Sequence, residues 1–125
     1  MNAFEVALAA LQILFIGDSH ATGSFGLNLD EGLRALPQAQ VATVGSCGSV
    51  PHSFFNGAVT RCGYWERGID RTDFRTVTHA TALLPALLQG RRPDVLVVEL
   101  GSNFIVGYQE PRSEEHTSEL QSPYV

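Results

Sequence analysis

Three short apolar runs, each stopped by glycine and small polar residues, constrain this chain more than any other feature. Gln12-Ile13-Leu14-Phe15-Ile16 stops at Gly17-Asp18-Ser19, Val41-Ala42-Thr43-Val44 stops at Gly45-Ser46-Cys47-Gly48-Ser49, and Val95-Leu96-Val97-Val98-Glu99-Leu100 stops at Gly101-Ser102-Asn103. A short continuous run without polar alternation reads as a strand buried on both faces, the kind found in parallel sheets. Between the first two runs, Leu29, Leu33 and Leu36 recur at helical spacing, which predicts a helix opened by Asn28 or Asp30 and closed by Pro37. Before the third, Val77, Ala80, Leu83, Leu84, Leu87 and Leu88 predict a helix over 76–89 with Gly90 as its stop and a kink or early break at Pro85. Val50 to Asp73 shows no sustained period and reads as a long ordered loop. Strand, helix, strand, helix, strand predicts an α/β fold on a parallel sheet, with ligands collecting at the carboxyl ends of the strands.

Composition narrows the function classes. The 125 residues suit one domain or part of one, and a net charge of −5 with arginines scattered along the chain argues against a nucleic-acid partner. The longest apolar stretches fall far short of the ~20 residues a membrane span needs. The histidines and cysteines lack zinc-ligand spacing and no Walker-type glycine loop is present, so neither a metal nor a nucleotide cofactor is implied. Met1 to Gln12 lacks the basic start and small-residue cleavage site of a secretory signal and stays unassigned. Cys47 and Cys62 either remain reduced or close a disulfide worth roughly 3 kcal/mol, and spacing leaves both open. A bridge would favour a periplasmic or secreted location, and reduced thiols a cytoplasmic one.

The chemistry gathers where the runs stop. Ser19 follows a strand directly, so its hydroxyl is expected at a strand end beside free backbone N–H groups, a suitable place for a nucleophile. In chain order, the stops carry Ile16-Gly17-Asp18-Ser19-His20, then Gly45-Ser46-Cys47-Gly48-Ser49, then Gly101-Ser102-Asn103. This resembles the SGNH (GDSL-like) hydrolase family, whose blocks I, II and III carry serine, glycine and asparagine. The resemblance spans Ile13 to Asn103. It implies a three-layer α/β/α, flavodoxin-like parallel sheet and a small-molecule ester as the partner. It makes Ser19 the nucleophile, with the Ser19 N–H, the Gly48 N–H and the Asn103 amide as an oxyanion hole; Gly45 competes with Gly48 for the block II role.

Phe104 stands where the family often has aspartate, and the block V Asp-x-x-His pair, which supplies the base, does not occur. His20 is expected to hydrogen-bond or face substrate rather than act as base, Asp18 to cap the turn after it, and His52 and His79 to be surface or packed residues. Phe54, Phe55, Tyr64 and Trp65 are candidates to wall a pocket, or simply pack the loop. From Arg112 the sequence Arg-Ser-Glu-Glu-His-Thr-Ser-Glu-Leu-Gln-Ser resembles the in-frame translation of a short-read sequencing adapter. The expected organisation is therefore a partial SGNH domain over 13–111, truncated before its last strand and helix, with 112–125 a non-native tail that removes His116 from candidacy. Two other readings stay open: an SGNH domain attached to a membrane O-acyltransferase, and a carbohydrate- or ester-binding module without turnover.

Overall fold

The computed structural model describes residues 9–101. Asn103, Phe104, His116 and the 112–125 tail lie outside them, as does the start of the segment before β1.

The first apolar run forms β1 (Leu11–Gly17) and the second β2 (Ala39–Ser46), paired in parallel from Leu11 opposite Ala39 to Gly17 opposite Gly45. The third forms β7 (Val95–Glu99), parallel to β1 on its other side. β1 is therefore the middle of the three parallel strands, and the order in which the chain lays down strands reverses there, the place where open α/β sheets bind ligands.

The sheet is mixed rather than wholly parallel, with order β5-β4-β2-β1-β7. β4 (Tyr64–Arg67) runs antiparallel to β2, and β5 (Asp73–Thr76) antiparallel to β4. The expected loop over Val50–Asp73 thus holds β4, the short α3 (Ser53–Asn56) and β3 (Val59–Thr60), which pairs with β6 (His79–Ala80). Hydropathy misses β4 because its charges are satisfied inside the fold: the Tyr64 hydroxyl donates to Glu66 at 2.5 Å and Arg67 pairs with Asp73 at 2.7 Å.

The predicted helices also shift. α1 (Ser19–Thr22) is a single turn, and α2 (Ser24–Arg34) begins before Asn28 and ends short of Pro37. Gly26 allows the early start, because a Cβ there would sit 1.9 Å from the Ala21 carbonyl oxygen. The helix expected over 76–89 shrinks to α4 (Leu84–Leu88), with Pro85 in its first turn. A proline ring tolerates that position but clashes with any turn laid down before it.

Alternating side chains build two apolar layers. Leu14, Ile16, Ala42 and Val44 meet Phe54 and Tyr64 on one face, with Leu84, Leu87 and Leu88 of α4 packed against them. Opposite them, Ile13, Phe15, Val41 and Trp65 are buried on the face covered by α1 and α2. β7 is less covered, and Val95, Leu96 and Val98 are exposed. No helix among the described residues is long and apolar enough to cross a membrane.

Candidate functional site

β1, β2 and β7 deliver their carboxyl ends to one edge of the sheet, and Ser19, Gly45 and Gly48 lie there, while Asn103 falls outside the described residues. Ser19 opens α1 directly after β1 and is exposed. α1 sits almost in contact with the sheet. A Cβ on Gly17 would come 2.6 Å from the Ala21 Cβ, and one on Gly45 would come 2.9 Å from Thr22 Cγ2. Packing under α1 accounts for Gly45.

Gly48 lies in the turn after β2 with φ +80°, a left-handed conformation that strains any residue with a Cβ. The turn is tied down on both sides. Ser49 Oγ donates to the Gly17 carbonyl at 3.4 Å, linking it to the end of β1. Cys47 is disulfide-bonded to Cys62, its N–H donates to the Gly63 carbonyl at 2.9 Å, and its carbonyl accepts from Thr60 Oγ1 at 2.7 Å. The Ser19 and Gly48 N–H groups have no protein acceptor among the described residues, and Ser19 Oγ is likewise without a hydrogen bond there. An oxyanion hole needs donors left over in this way.

Beside Ser19 stands a cluster that sequence reading caught only in part. Asp18 is fully buried and caps α1, accepting from the His20 N–H at 2.9 Å. The same oxygen lies 3.2 Å from His20 Nδ1, and Glu99 Oε2 lies 3.5 Å from that nitrogen. Burial, then a hydrogen bond to Asp18 and its charge, pushes the Glu99 carboxyl up to about 7. The Asp18 and Glu99 carboxyl groups both approach one ring nitrogen of His20, which fixes the ring's orientation. Glu99 was read only as a strand residue; its polar side chain at the end of an apolar run was the available signal. Asp18, His20 and Glu99 are also the one group among the described residues whose ligand atoms lie within 4.8 Å of one another.

The other candidates scatter. His79 stacks on Tyr64 with ring centroids 4.2 Å apart, and its Nδ1 lies 2.6 Å from the Ala80 carbonyl oxygen. Phe54, Tyr64 and Trp65 are buried in the domain, whereas Phe55 is exposed. His52 borders a hollow of about 280 Å³ with Val50, Pro51 and Gly101. On the other side of the edge, Thr22, Cys62, Gly63, Tyr64, Arg75, Thr76 and Val77 line a groove of about 430 Å³.

No protein-family profile, curated protein or solved structure matches the chain.

Proposed function

We propose that the chain carries the nucleophile portion of an SGNH-type serine hydrolase that cleaves a small-molecule, lipid or carbohydrate-linked ester. The observation that carries this reading is an exposed Ser19 at the end of β1, with its own N–H and that of Gly48 both lacking a protein acceptor among the described residues, on the same sheet edge. The parallel β2-β1-β7 core and helical segments against both faces suit the family's three-layer, flavodoxin-like architecture.

In this reading Ser19 Oγ bonds to the ester carbonyl carbon. The negative charge passes to the carbonyl oxygen, where the Ser19 and Gly48 N–H groups and the Asn103 amide receive it. The alcohol then leaves with the proton that a general base took from Ser19, and water releases the acid from the acyl-serine. Each oxyanion donor is worth roughly two to three powers of ten in rate. The family's base comes from an Asp-x-x-His segment that this sequence lacks, so the polypeptide as written is expected to hydrolyse esters feebly. The Cys47–Cys62 bridge favours an oxidising compartment.

The test is the full gene product, read through the codon for Pro111 and assayed on a chromogenic acetyl ester. Continuation into an Asp-x-x-His segment and loss of at least about a thousandfold in rate in Ser19→Ala are expected. Equal turnover in Ser19→Ala would refute the nucleophile. A binding module is the second reading, favoured by the lack of any imidazole hydrogen-bonded to Ser19 Oγ among the described residues. It predicts saturable ester binding with no release of alcohol.

A further inference from the structure

The groove of about 430 Å³ runs from Thr22 on the Ser19 turn to Cys62 and Gly63 beside Gly48, so it adjoins both halves of the proposed site. A Cβ on Gly48 would lie 3.9 Å from Cys62 Sγ, which puts the groove's disulfide wall against the Gly48 turn. Thr22 Oγ1 donates to the Ser19 carbonyl at 2.9 Å, which joins the opposite wall to the Ser19 backbone. Whatever occupies this groove lies next to the reacting bond.

Among the described residues one cation, Arg75, lines it. Arg34 and Arg67 are both engaged by Asp30, and Arg67 and Arg71 by Glu31. Arg75 has no carboxylate within ion-pair distance among the described residues. Its guanidinium carbon lies over Trp65, 4.6 Å from the ring centroid, and the group donates one long bond of 3.3 Å to the Thr22 carbonyl. The aromatic face and that bond hold the fork in place, while its other N–H donors have no protein acceptor among the described residues. A pre-oriented guanidinium with spare parallel donors recognises a carboxylate or phosphate in two-point fashion. Asp73, two residues back along β5, feels the Arg75 charge but makes no ion pair with it, because its carboxylate oxygens are hydrogen-bonded by Arg67 and by the Trp65 indole N–H.

Resting on the serine-hydrolase reading for its chemistry but not for its binding, we infer that Arg75 is a specificity residue selecting substrates that carry an oxyanion, such as a uronate or a phosphate, on the part of the ester seated in this groove. A neutral ester of the same shape leaves the guanidinium unmatched and binds more weakly.

The molecule contains its own reporter, because Trp65, beneath Arg75, is the single tryptophan of the chain. Titrating the chain with sodium glucuronate, inorganic phosphate and glucose while following Trp65 emission tests the inference without any turnover. A saturable response to glucuronate or phosphate but not to glucose is expected. Arg75→Gln should weaken it at least about tenfold, Arg75→Lys should weaken it less because the charge survives without the fork, and Arg71→Ala, outside the groove, should leave it unchanged. Thermal melts of both Arg75 variants check that the fold persists. An equal response to glucose, or glucuronate and phosphate binding unaltered in Arg75→Gln, overturns the inference. Oxyanion binding with no Ser19-dependent hydrolysis in the full gene product refutes the hydrolase reading and leaves the Arg75 site standing.

Discussion

Asp30 and Asp18 are both fully shielded from solvent, yet the protein treats them in opposite ways. Asp30 faces cations: Arg34 Nε donates at 2.8 Å, Arg67 Nη1 at 2.9 Å, and the Thr43 hydroxyl at 2.5 Å. Burial alone would push its carboxyl upward, but those hydrogen bonds and the Arg34 charge hold it below the usual range. Asp18 instead faces another carboxyl, Glu99, and an exposed histidine. The first arrangement neutralises a buried charge and locks α2 to β2 and β4. The second keeps like groups crowded at a strand end next to an exposed serine. Crowding of that kind works against stability and is typical of sites arranged for chemistry.

The comparison breaks or sharpens by substitution. Asp30→Ala leaves the nearly buried Arg34 without a carboxylate and takes one of three from Arg67, and should cost about 3–5 kcal/mol, read as a fall in the urea midpoint. Asp18→Ala removes a helix cap and should cost only about 1 kcal/mol. If the two losses were equal, the contrast drawn between the aspartates would be wrong.

Glu99→Gln should act through pH. Glu99 ordinarily titrates near 4.5 and is raised to about 7 here, so the folded state holds its proton more tightly than the unfolded chain does. The stability this contributes is complete below about 4.5 and disappears as pH rises through about 7. The glutamine variant should lose that decline, gaining on wild type between about pH 5 and pH 8 in paired denaturation curves; an unchanged slope would show that the Glu99 carboxyl is not raised in the fold. Smallest of all, Arg71→Ala removes an exposed partner of Glu31 and should leave the urea midpoint where it was.

The same contrast explains what the sequence could reveal. β1, β2 and β7 were readable because apolar runs ending in glycine and serine are a local signal, and the turns bearing Ser19 and Gly48 came with them. β4 and β5 were hidden because Glu66, Arg67 and Asp73 look solvated until their partners are known. Asp30 looked like a possible helix opener, whereas its ligands include Arg67, 37 positions away. Glu99 meets the Asp18 N–H across 81 positions and Arg75 meets Thr22 across 53, distances at which no spacing rule operates. Pro85 was noticed, but its full effect depended on β6 claiming His79 and Ala80 for a strand.

The Cys47–Cys62 bond also changes the chain's connectivity, turning the segment between the two cysteines into a covalent ring closed across a sequence separation of 15. Gly48 is the first residue inside that ring, and the exposed Pro51, His52, Phe55 and Arg61 are strung around it. A protease that cuts anywhere between Gly48 and Arg61 opens the ring without separating the molecule. The nicked protein would migrate as one species until a reductant divides it, and only then would the piece bearing Ser19 and Gly48 lose its covalent tie to the piece bearing β4, β5 and β7.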